Sequence, residues 1–171
     1  GDSVSSDLQM SLKTIGIKTE RFDIDGNCFE KIIIDSKCKN LTIKKFEKVL
    51  LNKKYIIIAT NILTDKTYKE IQKMYFYLEK KYKVFVLSDL QFAKPTNISF
   101  YAINNNQNLN HLSYLYMHED TITHEEILKS ILPNENIILK RKFFCNDDVK
   151  ECELLDENNN DIFHDSVHLT T

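Results

Sequence analysis

Several things are scarce in this chain, and each scarcity narrows the reading. No hydrophobic run is long: Ile32–Ile34 and Tyr55–Ala59 are strand-sized. A bilayer span needs roughly 18 apolar residues, so no spanning helix is expected here. Charge of one sign is also missing. The net charge is −2, so no basic field draws the chain to nucleic acid or to an anionic membrane. There are only three glycines, and no glycine-rich phosphate loop follows any strand-like run, which argues against a flavodoxin-like nucleotide binder. No signal peptide is visible, and the abrupt start reads as that of a domain cut from a larger protein. Arginine is rare, two residues against 21 lysines, while Ile and Asn are abundant. That bias reads as AT-rich codon usage.

What is present suits a globular domain. A chain of 171 residues is most simply one domain, 1–171, and is long enough to bury a core unaided. The four cysteines form two local pairs, Cys28/Cys38 and Cys145/Cys152. Neither pair has the C-x₂₋₄-C spacing of a zinc site. Their separations suit small disulfide-closed loops in an oxidising compartment. Four reduced thiols in a cytosolic protein are the alternative.

Apolar periodicity alternates between helix and strand. Leu8, Leu12 and Ile15 share a helical face that Gly16 ends. Ile17 to Ile24 reads as a strand and 23–28 as a turn. A helix face at Ile43, Phe46, Val49 and Leu50 precedes a buried strand, "KYIIIATN". A helix over Thr67–Lys81 turns Ile71, Met74, Tyr75 and Leu78 inward, and "KVFVLSDL" is the next strand. Residues 93–110 read as a loop holding a short strand, "ISFYAI". Leu112–Met117 reads as a brief helix. Thr123–Leu132 reads as a helix with a Thr123/Glu126 capping box, ended by Pro133. "NIILKRKFFC" is the last long strand, and 151–155 a short one. This order predicts an α/β fold with a mostly parallel sheet and helices on both sides. In such sheets ligands bind at the carboxyl ends of the strands, which directs attention to Asp25–Asn27, Thr60–Asn61, Asp89–Gln91 and Gly1–Ser3.

A serine hydroxyl needs a base, and a histidine serves best when a carboxylate fixes its tautomer. Asp165 and His168, in "DSVH", stand three apart, so the carboxylate reaches one ring nitrogen and leaves the other for a serine. Ser3, in "GDS", directly precedes a helix, where developing negative charge is favoured.

The ordered set "GDS" at 1–3, "DGNC" at 25–28, "ATN" at 59–61 and "DSVHLT" at 165–170 resembles the SGNH, or GDSL-like, hydrolase family. Within it the chain is most similar to the SGNH domain fused to bacterial acyltransferase-3 membrane proteins. "GNCFEK…SKC" and "FFCNDDVKEC…HDSVHLT" match their cysteine layout. The resemblance implies a flavodoxin-like three-layer α/β/α sandwich and an O-acyltransferase or esterase. That enzyme moves an acyl group, usually acetyl, between an acyl donor and a hydroxyl of a cell-envelope glycan. By position, Ser3 is then the nucleophile, His168 the general base and acid, and Asp165 its orienting partner. The N–H groups of Ser3 and Gly26 and the amide of Asn61 form the oxyanion hole, worth about 3–4 kcal/mol per donor. The same resemblance implies Cys28–Cys38 and Cys145–Cys152 disulfides, an extracytoplasmic location, a covalently linked membrane acyltransferase-3 domain, and no metal or cofactor.

The match departs in three places. A buried strand should precede the nucleophile, so either it lies upstream of Gly1 or the sheet is incomplete. "ATN" agrees only in its asparagine, and the chain stops three residues after His168. A glycan-binding or partner-docking module that kept the fold and lost turnover is the alternative. His111, His118 and His124 read as exposed and not as metal ligands, and His164 as a possible neighbour of the acceptor site. Asp147, Asp148, Glu151 and Glu153 read as a solvated run. Phe92, Phe100 and Tyr101 read as core residues near the active face.

Overall fold

The computed structural model describes residues 3–22, 24, 28, 43–59, 65–92, 98, 102, 104–158 and 160–163. In chain order the elements are helix α1 (Ser3–Thr14), α2 (Ile43–Leu50), strand β1 (Tyr55–Ala59), α3 (Asp65–Leu78), β2 (Lys83–Leu87), α4 (Leu109–Leu115) and α5 (Glu119–Ile131). A 3₁₀ turn (Asn134–Asn136), β3 (Ile137–Ile138), α6 (Arg141–Phe144), β4 (Cys145–Asn146) and β5 (Glu151–Cys152) follow. The fold is mixed α/β. β1, β2 and β3 form a parallel sheet in that order, and β4 and β5 form a small antiparallel hairpin.

β1 and β2 are continuous apolar runs because both faces of the sheet are covered. On one face Ile58, Val84 and Val86 join Phe46 of α2, Ile71, Tyr75 and Leu78 of α3, and Leu128 of α5 in one buried cluster. On the other, Ile57, Ala59, Leu87 and Ile138 meet Leu8 of α1. A third cluster lies beyond the carboxyl ends of β2 and β3: Leu90, Phe92, Leu112, Leu154 and Phe163 pack around the Cys145–Cys152 disulfide.

The helix ends have local causes. Gly16 takes φ +81°, its N–H donates to Lys13 O and the Ile17 N–H donates to Leu12 O. That pair of hydrogen bonds closes α1 in a Schellman motif that favours glycine. The Asn108 side chain accepts from the His111 N–H at 3.2 Å and starts α4. α5 starts four residues before the predicted capping box. His118 is its N-cap, accepting from the Asp120 N–H, while Thr123 lies inside the helix and donates to Glu119 O.

Four predicted strands need correction. Residues 17–22 and 24 are not in a strand, because no described strand lies beside them to complete a ladder. In the predicted 98–103 strand, the described positions Ile98 and Ala102 are helical and both are buried in the third cluster. The predicted 136–145 strand keeps two residues in the parallel sheet, Ile137 and Ile138, while Cys145 pairs apart from it in β4. Lys140 and Arg141 are then buried, and α6 turns the chain so that Arg141 reaches Glu125. The predicted 151–155 strand is the two-residue β5.

Candidate functional site

The carboxyl edge of the parallel sheet is where the described structure gathers buried polar groups. Ser88, directly after β2, is fully buried. Its N–H donates to Ile138 O at 2.8 Å and its Oγ accepts from the Lys140 N–H at 2.9 Å. These bonds stitch the ends of β2 and β3 together. Asp89 is buried as well. One of its oxygens accepts from the Leu90 N–H at 2.9 Å and the other from Gln91 Nε2 at 2.6 Å. The Gln91 N–H donates to Thr121 Oγ1, and Gln91 O accepts from the His118 N–H. The predicted polar turn Asp89–Gln91 is therefore a brace between β2 and α5.

α1 begins at this same edge. Leu8 packs near Ala59, Leu87 and Ile138, the last residues of the three strands. The helix then descends, and Glu20, six residues past its end, reaches Lys53 at the amino end of β1 with a 2.6 Å ion pair. α1 is thus antiparallel to β1, and its positive dipole end faces the carboxyl edge. Ser3 is the first residue of α1. Phe163 lies past the same edge: its ring meets Phe92 and Phe144 at 5.1 Å, and the buried Lys140 extends Nζ over it at 5.8 Å.

Of the predicted catalytic and oxyanion residues only Ser3 falls among those described. Gly26, Asn61, Asp165 and His168 lie outside them, as do His164, Phe100 and Tyr101. The described structure therefore neither assembles nor separates the triad and the oxyanion donors. Phe92 is core, as expected. Cys145 and Cys152 are bonded, and Cys28 is disulfide-bonded too, but its predicted partner Cys38 lies outside the described residues.

Sequence reasoning missed two polar constellations. In the first, Arg141 bridges Glu125 and Asp147. Its guanidinium meets both Glu125 oxygens at 3.1–3.3 Å, with 7% and 2% of the two side chains exposed. It also donates to Asp147, as does Lys142. Burial works against the charged guanidinium, but Glu125 and Asp147 together raise its pKa. The hydrogen bond from Lys142, with help from Arg141, holds the Asp147 carboxyl below the usual carboxylate range despite partial burial. Asp147 is thus not part of a merely solvated run. No signal in "KRKFFCNDD" points to this, because Glu125 is 16 residues away.

The second constellation pairs Tyr68 of α3 with His124 of α5, ring centroids 5.9 Å apart and edge to face. Tyr68 Oη and His124 Nδ1 are buried without a hydrogen-bond partner. Burial, with the charges of Asp120, Asp65 and Asp89, pushes the phenol up to about 12. His124 is half-buried, not exposed as its sequence position suggests. His118 has 45% of its side chain exposed, and its Nδ1 lies 3.2 Å from an Asp120 carboxylate oxygen. Among the described residues no three His, Cys, Asp or Glu side chains group as metal ligands, and no helix is long and apolar enough to cross a membrane.

No protein-family model, curated protein or solved structure matches the chain.

Proposed function

We propose that this chain is an SGNH-type serine O-acyltransferase or acetylesterase domain acting on a cell-envelope glycan. It would work outside the cytoplasm, tethered through a membrane acyltransferase-3 domain that supplies the acyl group. The observation that carries the reading is the position of Ser3 and of Phe163. Ser3 heads the helix that starts at the carboxyl edge of the sheet. Phe163, two residues before Asp165, packs beyond that edge. Asn61 follows Ala59, the last residue of β1, by the same interval. Two residues span at most about 7 Å, so the sequence blocks and the edge are close in the chain. The disulfide hairpin beside Phe163 suits an oxidising compartment. In this reading, α1 on one face of the sheet and α2, α3 and α5 on the other are the outer layers of a three-layer sandwich.

The chemistry is a two-step acyl transfer. Ser3 Oγ attacks the acyl carbonyl while His168, held by Asp165, takes its proton. Gly26, Asn61 and the Ser3 N–H stabilise the oxyanion. The tetrahedral intermediate expels the donor's oxygen, which leaves with the proton from His168. A sugar hydroxyl or water then attacks the acyl-serine, His168 accepts the incoming proton, and the collapse returns it to Ser3. Cleavage of a chromogenic acetyl ester by wild type, Ser3→Ala and His168→Ala tests this. Loss of about 10³-fold or more in both variants is expected, together with fluorophosphonate labelling of wild-type Ser3. Equal rates in all three refute it.

Among the described residues the parallel sheet has three strands and none of them precedes α1, which favours a second reading, a glycan-binding or docking module without turnover. It predicts saturable glycan binding and no covalent Ser3 adduct.

A further inference from the structure

The net charge of −2 averages over two sheet edges of opposite sign. At the carboxyl edge the carboxylates of Asp65, Asp89 and Asp120 all bear on Tyr68. The amino edge is built from three turns: 13–20 from the end of α1, 51–54 before β1, and 79–82 before β2. Register places Tyr55, which opens β1, beside Lys83, which opens β2. Glu20 of the first turn reaches Lys53 of the second, and Lys81 of the third reaches Glu47 of α2. These links hold the three turns side by side. Residues 13–20, 51–55 and 79–83 carry seven lysines against two glutamates. Lys13, Lys18, Lys54, Lys80 and Lys83 are exposed and make no ion pair among the described residues. Large apolar side chains stand between them. Ile15 and Leu51 are 70% and 65% exposed, and Ile17 and Tyr55 are 47% and 52% exposed.

We propose that this amino edge is a docking face for the surface of an anionic phospholipid bilayer. Charge complementarity selects a negative partner, because the unpaired cations share one edge and the carboxylates sit at the other. The apolar side chains select a bilayer over a soluble polyanion. A bilayer offers headgroup charge to the lysines and, just beneath it, an apolar medium to the side chains among them. A polysaccharide or a nucleic acid gives Ile15 and Leu51 nothing to enter. Tyr55 fits the same surface. Lys54 Nζ and Lys83 Nζ stand 5.2 and 5.9 Å from its ring centroid. An aromatic body flanked by ammonium groups on flexible stems is the grouping that settles at headgroup level. The face rests on the bilayer and does not cross it, since the inserted side chains come from turns. α1 runs from the carboxyl edge to the amino edge. With the amino edge on lipid, the Ser3 end of α1 therefore faces away from the bilayer.

The test is co-sedimentation of the full chain with vesicles of phosphatidylcholine alone and of an equal mixture with phosphatidylglycerol. Binding to the mixed vesicles only, weakened by about 0.5 M salt, is expected. Each lysine near an anionic surface is worth about fivefold in partitioning. Lys18→Gln/Lys54→Gln/Lys83→Gln should therefore bind about a hundredfold more weakly. Lys66→Gln/Lys69→Gln/Lys150→Gln, which removes the same charge elsewhere, should bind like wild type. Ile15→Asn/Leu51→Asn should lose about tenfold or more. All these positions are exposed, and an unchanged urea midpoint shows that each variant folds. No binding to the mixed vesicles, or equal weakening by the two lysine variants, overturns the proposal. Full binding by Ile15→Asn/Leu51→Asn, with equal capture by polygalacturonate or by RNA, assigns the face to a soluble polyanion and overturns it. Self-association without vesicles that Lys18→Gln/Lys54→Gln/Lys83→Gln abolishes assigns it to a second copy and also overturns it. None of these outcomes depends on Ser3 or on ester cleavage.

Discussion

Arg141→Met is the sharpest test of how the molecule is held together. The substitution keeps most of the side-chain volume and removes the fork that binds Glu125. Glu125 is 1% exposed, and Arg141 is the only partner seen for its carboxylate among the described residues. A buried charge stripped of its partner costs about 3–5 kcal/mol. Asp147 keeps Lys142, so little is added from that side. For a chain of this size each kcal/mol moves Tm by about 2–4 °C, so the loss is about 6–20 °C. The double variant Glu125→Leu/Arg141→Met removes both charges from the interior. It should recover most of the loss, because apolar replacement of a buried pair is often neutral or stabilising. The assay is urea unfolding followed by far-UV circular dichroism at pH 7. A cost below about 1 kcal/mol for Arg141→Met, or a double variant no more stable than the sum of the singles, would refute the reasoning.

Two more predictions concern the same corner. Cys145→Ser/Cys152→Ser opens a loop of seven-residue separation, and chain entropy puts the loss at about 2.5 kcal/mol. Reduction of the wild type should give the same shift in urea midpoint, and no shift would mean that the hairpin is held by its packing alone. Asp147 has its folded pKa lowered. Its contribution is therefore present above the unfolded value near 3.9 and is lost as pH falls through the lower folded value. Stability of Asp147→Asn should accordingly converge on that of wild type as pH falls below the usual carboxylate range. A constant gap down to pH 2 would show that the carboxylate charge is not what matters.

Much of the scaffold was legible because its signals are local. Tyr55–Ala59 and Lys83–Leu87 are unbroken apolar runs, and both became parallel strands buried by helices. α1 closes at Gly16 where the periodicity stops. The inward face of α3 holds Ile71, Tyr75 and Leu78, as their spacing requires. The candidate site was legible only as ordered sequence blocks, and of its catalytic and oxyanion residues Ser3 alone lies among the described residues. Nothing in the chain order reveals that Ser88 and Lys140, 52 positions apart, share a buried hydrogen bond at the sheet edge. Tyr68 and His124 meet because α3 and α5 pack together, which neither helix encodes alone.

By itself the sequence determined the parts that depend on neighbours a few residues away: which segments coil, which extend, where a glycine ends a helix, and which cysteines lie close enough to bridge. Tertiary structure decided everything that needs a distant partner. Residues 17–22 are not in a strand, since a ladder needs a second edge. The 136–145 run breaks after two paired residues, where Arg141 turns inward to a carboxylate on another helix. Pairing across space is cooperative and non-local, so the same stretch of chain is strand or not according to what stands beside it.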